Sequence, residues 1–309
     1  MLDNQQPSEM VSVIIPAYYE EQVIEAIIQR IQTTLNASSY HYEIIVVDDG
    51  SQDETAKKAQ EAGATVISHP YNIGNGAAVK TGIRHAQGDI LVMLDADGQH
   101  PPEDIPRLLD LVGPYDMVVG ARTKESDSSL HRDLANAIYN RFATYVSGRH
   151  IEDLTSGFRA IKAPIARNLV NLLPNTFSYP TTITLATIRS GYSLAYVPIV
   201  SDKRVGKSKI KLLRDGTRFL LIIVKVATLF SPLKVFLPVS ATMFTAGILY
   251  GLFKIFFLGL RYGPTSAMLM IMAVVIFMVG LVSEQVAQLR SDRQTTSPIT
   301  ERQTHKERE

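Results

Sequence analysis

Cysteine is absent from the 309 residues, and so is tryptophan. The first absence excludes disulfides, zinc–thiolate sites, iron–sulfur clusters and thiol nucleophiles. The second removes any motif that needs an indole. An excess of either charge is also missing: 31 Lys and Arg face 30 Asp and Glu, so a net charge of +1 gives no reason to expect nucleic acid as a partner. Apolar residues are plentiful, at 46% with 20% charged, which excludes a disordered chain and leaves a globular or membrane-associated one. The length suits one domain of about 200 residues with a further segment, or two ordinary domains.

The mean hydropathy of +0.06 hides an asymmetry along the chain. Up to about residue 205, apolar runs are short and interrupted by charge. Beyond about residue 219 they lengthen. Val235 to Leu260 carries Lys254 as its single charge and Ala267 to Ser283 carries none, so each reaches the ~20 residues a helix needs to cross a bilayer. A soluble core helix seldom runs so long without a polar face. Gly259 to Ser266 is the turn of the expected hairpin. Lys203, Arg204, Lys207, Lys209, Lys211, Arg214 and Arg218 precede it, and Arg290, Arg293, Arg302, Lys306 and Arg308 follow, against Arg261 in the turn. This bias predicts that both flanks are cytoplasmic. MLDNQQPSEM has neither a positive n-region nor an apolar h-region, so the first 200 or so residues are expected in the cytosol.

Within those residues, Val11 to Pro16, Glu43 to Asp48, Ala64 to Ser68, Asp89 to Asp95 and Asp116 to Gly120 read as strands. Glu20 to Asn36, Asp53 to Ala62, Asn75 to Gln87 and Glu103 to Leu111 read as the helices between them. The alternation predicts an α/β fold, a mostly parallel sheet with helices on both faces. Ligands of such sheets bind beyond the carboxyl ends of the strands. The polar stretches Pro16 to Glu21, Asp48 to Asp53, Asn72 to Gly76 and Asp95 to His100 fall there.

Asp95 and Asp97, at i and i+2 after a buried strand, would repel unless a cation lies between them. Oxygen ligands without cysteine point to Mg2+ or Mn2+, which would in turn hold a diphosphate. Asn72-Ile73-Gly74-Asn75-Gly76-Ala77-Ala78-Val79-Lys80 supplies glycines before a helix, where a backbone can approach a phosphate. It follows the third strand, so it is not the dinucleotide fingerprint. Gly206-Lys207-Ser208 ends like a P-loop, but the earlier glycine would fall at Ser201. Arg122, Arg159, Arg204 and Lys209 match phosphate chemistry, since guanidinium groups bind phosphate oxygens in bidentate fashion. Arg204 and Lys209, beside the membrane, are favoured for an acceptor phosphate.

Taken in order, these stretches resemble blocks of family 2 glycosyltransferases of the GT-A fold. The blocks are Ile15 to Glu21, Val47 to Asp53, Asn72 to Ala77, Asp95 to Glu103, Gly120 to Arg122, Asp153 to Arg159 and Arg204 to Lys209. The likeness is to the polyprenyl-phosphate branch, which includes dolichol-phosphate mannose synthase and bacterial polyprenyl-phosphate glucosyltransferases. It covers roughly residues 10 to 210.

The resemblance implies an inverting transfer of a hexose from UDP-glucose or GDP-mannose to polyprenyl phosphate. Pro16, Glu20 and Asp49 would surround the nucleoside, with Asn72, Gly74, Gly76, Lys80 and Asp95 also on the nucleotide-sugar. Asp95, Asp97 and Gln99 would be the metal ligands. Asp97, Asp153 and Arg122 are the expected catalytic residues, with Arg159, Arg204 and Lys209 on the acceptor phosphate. A phosphate acceptor is already ionised near pH 7, so Asp153 is either a base, an orienting group or a helix cap. One departure is Tyr19, where the family commonly has Asn.

The organisation implied is a polar tail over 1–9, a cytosolic GT-A domain over 10–205, a basic interfacial helix over 206–232, two transmembrane helices over 233–290 and a charged tail over 291–309. Expected partners are the nucleotide-sugar, the polyprenyl phosphate, anionic membrane lipids and, as an option, a second copy of the chain. The expected location is a multi-pass protein of the plasma or inner membrane. A processive polysaccharide synthase would need a Gln-x-x-Arg-Trp motif, which a chain without tryptophan cannot have. A non-catalytic scaffold of the same fold would have little reason to keep Asp95, Asp97 and Arg204.

The Lys/Arg distribution yields a test of topology. A reporter fused at Glu309 and one inserted near Gly263 should be labelled from opposite sides of the membrane. Labelling of both from the cytoplasm would mean that the hairpin does not cross.

Overall fold

A computed structural model describes residues 9–123, 130–176, 178–201, 224, 228, 231–259 and 261–295, without side chains over 130–136 and 290–295. The chain divides into two compact units, Met1–Asp215 and Gly216–Glu309.

The first unit opens with β1 (Met10–Ala17), α1 (Ile24–Asn36), β2 (His41–Asp48), α2 (Thr55–Glu61), β3 (Thr65–Ser68), α3 (Asn75–His85) and β4 (Ile90–Met93). It continues through α4 (Ile105–Leu109), β5 (Met117–Arg122), α5 (Leu130–Ser147), β6 (Arg159–Lys162), α6 (Ala163–Leu169), α7 (Tyr179–Arg189) and β7 (Leu194–Ile199). The sheet order is β3-β2-β1-β4-β6-β5-β7. β6 is antiparallel to both its neighbours, and the remaining pairings are parallel. β1 and β4 form the buried centre, which explains why they read as apolar runs, broken in β1 only by the buried Ser12. Ile24, Ile27, Ile28, Ile31 and Leu35 recur at helical spacing and form the stripe that α1 buries. α3 lies close on the sheet: a Cβ at Gly82 would collide with the Ile14 side chain of β1.

The parallel strands end where the sequence pattern expects, within two residues. One helix start differs more. α1 begins at Ile24 because the carbonyl of Glu20 first closes a turn with Val23 and Ile24 N–H. The helix expected over Glu103 to Leu111 is a 3-10 turn, Pro102–Asp104, followed by α4. β6 and β7 are additions to the expected strands. β6 has only four residues and charge at both ends, and β7 is an edge strand carrying Pro198, so neither makes an apolar run.

The second unit is a hairpin of α8 (Pro232–Leu258) and α9 (Pro264–Thr295), turning after Gly259 in the left-handed conformation. The spans are long and apolar enough to cross a membrane, with 11% and 17% of their most apolar windows buried. A soluble core helix would be mostly covered. Small residues line the contact: Gly251 lies against the Tyr262 ring, Gly247 against Leu269 and Met270, and Gly280 against Phe236. Glu284 Oε2 accepts the Leu233 N–H at 3.2 Å, satisfying a free donor at the start of α8. Of the interfacial segment expected over 206–232, Val224, Thr228, Ser231 and Pro232 alone are described; Arg204 and Lys209 lie outside the described residues.

The approach of α3 to β1 can be weighed. Alanine in place of a helical glycine gains about 1 kcal/mol in propensity, whereas overpacking a core costs about 1–3 kcal/mol. Gly82→Ala should therefore lower the melting temperature of the first unit, by roughly 2–4 °C for a net loss of about 1 kcal/mol. A rise on thermal melting would contradict the close approach.

Candidate active site

The carboxyl ends of β1, β2, β3 and β4 bring four loops to one sheet edge. β5 and β7 end there too, and β6 starts there, because Met93 pairs with Arg159.

Pro16 is buried on β1 opposite Val47, and half-buried Glu20 donates its N–H to Thr55 Oγ1 at 3.0 Å. Between them Tyr19, 43% exposed, adopts φ +56°, a left-handed conformation unusual for an aromatic residue. Its N–H donates to Ser51 Oγ at 2.9 Å, and its ring meets Tyr18 edge-on at 4.6 Å between centroids. Asn, common here in the resembling family, tolerates that backbone better.

Asp49 differs from expectation. It is buried, and its carboxylate accepts the N–H groups of Ile73 (3.0 Å) and Gly74 (2.7 Å) while pairing with His69 Nδ1 at 2.7 Å. His69 Nε2 in turn meets Thr81 Oγ1 at 2.9 Å. Asp49 thus holds the loop over 72–74 from inside, with both carboxylate oxygens engaged by the chain. Gly74 and Gly76 also differ. A Cβ on either would strike the carbonyls of Pro174, Asn175 or Thr176, so these glycines admit another stretch of chain where a phosphate was expected. Lys80 Nζ donates to Leu173 O and to Asn175 Oδ1, and burial followed by Arg84 lowers its pKa. Asn72 is exposed on the rim.

After β4, Asp95, Asp97 and Gln99 are all half-buried on one tight turn, in which Gly98 takes φ +74° and Gln99 N–H donates to Asp97 Oδ1 at 3.1 Å. His100 is buried, stacked 5.5 Å from Phe158, and accepts the Asp95 N–H on Nδ1 at 3.4 Å. Burial lowers its pKa to about 4, which keeps the imidazole neutral, as an accepting Nδ1 requires. Among the described residues no three His, Cys, Asp or Glu side chains are grouped so as to hold a metal by themselves. Two carboxylates with substrate phosphates and water are nonetheless the usual holding for Mg2+, and the donor set fits that pattern.

Arg122 and Asp153 meet in a two-pronged ion pair, Nε to Oδ2 at 2.7 Å and Nη2 to Oδ1 at 2.9 Å. Asp153 also accepts the N–H groups of Thr155 and Ser156 at 3.0 and 3.1 Å. Burial would raise its pKa, but the hydrogen bonds and charge of Arg122, with the backbone donors, outweigh that and hold it below the usual carboxylate range. Such a group is a poor base. Arg159, expected on the acceptor phosphate, is fully buried, with Nη1 on Pro180 O and Thr184 Oγ1 at 3.1 Å each and Nη2 on Ser156 O. Its position does not fit an external phosphate. Residues missed from sequence are His69, Thr81, His100, Asn140 and Tyr179; Asn140, whose amide binds Leu154 N–H and Glu152 O, shapes the loop carrying Asp153. His100 alone carried a signal, its place directly after the acidic turn.

Residues 12–170 match the family model described as glycosyl transferase family 2, and residues 231–289 match the one described as GtrB C-terminal hairpin. The chain is 27% identical over 303 residues to the undecaprenyl-phosphate 4-deoxy-4-formamido-L-arabinose transferase of Klebsiella pneumoniae (strain 342), covering 93% of this chain and 90% of that protein. It is 37% identical over 165 residues to the protein of the same name from Salmonella choleraesuis (strain SC-B67), covering 52% and 50%. Among solved structures, glucosyl-3-phosphoglycerate synthase from Mycobacterium tuberculosis, in complex with Mn2+, UDP-glucose and phosphoglyceric acid, superposes with a TM-score of 0.58. At 19% identity over 71% of this chain and 80% of that one, this is a likeness of fold.

The ion pair makes a pH-dependent prediction. Asp153→Asn should cost on the order of 2–3 kcal/mol at pH 7, less than a fully buried pair because the Arg122 side chain remains 30% exposed. The folded pKa of Asp153 lies below its unfolded one, so its contribution is whole above the ordinary carboxylate range and is lost as pH falls through the folded value. Urea unfolding should therefore show wild type and variant converging below about pH 4. A gap constant from pH 7 to pH 2 would contradict the assignment.

Proposed function

The chain belongs to glycosyl transferase family 2, and from that premise we propose that it transfers a glycosyl group from a nucleotide-sugar to a polyprenyl phosphate at the cytoplasmic face of a membrane. The observation that carries the proposal is the union, in one chain, of a sheet edge bearing Asp95 and Asp97 with a hairpin whose apolar surface is left exposed. A soluble acceptor would not require such a hairpin; a lipid phosphate would. Relatives named as undecaprenyl-phosphate transferases align across both parts. The same hairpin supports a multi-pass location, and the basic residues between Lys203 and Arg218 would favour anionic lipids. The first donors to test are UDP-glucose, GDP-mannose and a nucleotide-linked 4-deoxy-4-formamido-L-arabinose, the sugar in the relatives' names.

In the reaction, an oxygen of the acceptor phosphate attacks the anomeric carbon from the face opposite the leaving group. The new carbon–oxygen bond forms as the bond to the nucleoside diphosphate breaks, with inversion. Asp95, Asp97 and Gln99 would hold Mg2+ or Mn2+, which supplies neutralisation of the departing diphosphate. Arg204 and Lys209 would bind and orient the acceptor phosphate. That phosphate is ionised near pH 7, so no base is needed, in keeping with the engagement of Asp153 by Arg122. Asp153 and Arg122 then act as positioning residues that fix the loop over 153–156 beside the reacting centre.

Membranes containing the protein, incubated with each labelled donor, should transfer label to the lipid phase on addition of polyprenyl phosphate. Failure with all donors would overturn the proposal. Asp97→Asn removes charge with little change in shape and should lower turnover at least about 100-fold, roughly 2.7 kcal/mol. Near-normal turnover at saturating donor and metal would remove the metal assignment and leave the transfer itself standing.

A further inference from the structure

The acidic turn after β4 runs from Asp95 to His100 and carries two carboxylates two residues apart. Such like charges push a turn open where no cation lies between them. The chain must therefore hold its shape by other contacts. Within the turn, Gly98 at φ +74° reverses the backbone, and Gln99 N–H donates to Asp97 Oδ1 at 3.1 Å. That bond spans two residues and does not reach the ends of the turn.

Both ends rest on one dipeptide, Gly157-Phe158, which leads into β6. Met93 pairs with Arg159 across the antiparallel ladder, so the chain that continues from β4 meets the chain that precedes β6. At the first end, a Cβ on Gly157 would overlap the Asp95 carboxylate, which therefore lies against bare backbone. At the second, the buried His100 ring stacks on Phe158, with centroids 5.5 Å apart and planes 22° from parallel. The imidazole also reaches across the turn, where its Nδ1 accepts the Asp95 N–H at 3.4 Å. Phe158 is itself fixed: it is fully buried, its carbonyl accepts the Gly120 N–H of β5 at 2.9 Å, and its N–H donates to Ser156 Oγ at 3.3 Å. His100 thus joins the two ends of the turn to each other and to the sheet.

From this arrangement we infer that His100 is a positioning residue for the acidic turn, a latch that accepts the Asp95 N–H and sits on Phe158 so that Asp95, Asp97 and Gln99 keep one spacing before a divalent cation arrives. The inference rests on the reading of those three residues as metal ligands. A site ordered in advance loses less conformational freedom on binding, and the difference appears as affinity. Removing a group that fixes the orientation of metal ligands typically costs about 10–100-fold in metal affinity. The latch also accounts for the residues beneath it, a glycine at 157, where a side chain would push Asp95 off its seat, and an aromatic ring at 158 to carry the imidazole.

The test is Mn2+ binding to the full-length protein in detergent micelles, with free Mn2+ read by electron paramagnetic resonance and no nucleotide present. His100→Phe keeps a ring on Phe158 and deletes the acceptor, so the Mn2+ Kd should rise about 10-fold. His100→Asn sets an amide oxygen where Nδ1 stands and should bring the Kd back to within about threefold of wild type. His100→Gln carries its amide past that position and should repeat the Phe result, which secures the test if the phenyl variant folds poorly. An Asn variant as weak as the Phe and Gln variants would overturn the latch, because the acceptor would then carry no part of the effect. Asp97→Asn separates the premises: wild-type Mn2+ affinity in that variant would mean that the turn is not a metal site. Loss of affinity in Asp97→Asn, with Kd values within about twofold of wild type in His100→Phe and His100→Gln and a lowered melting temperature in both, would leave His100 a structural residue and overturn the positioning role alone.

Discussion

The site depends on the antiparallel insertion of β6 between β4 and β5. Parallel strands by themselves would bring only loops that follow them to the carboxyl edge. β6 runs the other way, so the residues that precede it, Asp153 to Phe158, reach that edge from the opposite direction and close over the turn that follows β4. The contact of Gly157 with Asp95, the stacking of Phe158 on His100 and the ion pair of Asp153 with Arg122 all follow from this one reversal. A parallel strand in the same place would have sent those residues to the far end of the sheet.

Charge within the edge is arranged in layers. Asp49 is spent on backbone N–H groups and His69, Asp153 on Arg122, and Arg159 on carbonyl groups, each removed from solvent. Buried ionic groups are retained only with good partners, because the desolvation cost otherwise exceeds the attraction. Asp95, Asp97 and Gln99 keep partial exposure on the turn outside this frame. The division lets a rigid interior carry a turn whose like charges would be unfavourable side by side without a cation.

The central parallel strands and the acidic turn were readable from the sequence because both leave local signals, an unbroken apolar run and two carboxylates directly after it. β6 left none, being four residues with its partners 66 to 72 positions earlier on β4. The hydrogen bonds of Asp49 could not be read either: the N–H groups of Ile73 and Gly74, which its carboxylate accepts, arrive from another loop. Glycine spacing in Asn72 to Ala77 announced a close approach correctly, yet nothing local distinguishes a phosphate from the carbonyls of residues 174–176. Arg159 matches phosphate chemistry as a residue type, and only the strand direction places it in the interior.

The seam of the hairpin bears on traffic across the membrane. Gly247, Gly251, Ser266, Ala273 and Gly280 bring α8 and α9 together at small side chains and aromatic rings, and the outer faces are apolar. Among the described residues that outer surface is mostly apolar, a poor medium for a sugar, whose hydroxyl groups each lose water at substantial cost in hydrocarbon. If the transfer proposed above takes place, a single apolar hairpin of this kind would hold the enzyme at the face where the lipid is glycosylated, and moving the sugar to the other face would ask for a polar path that these two helices do not display among the described residues.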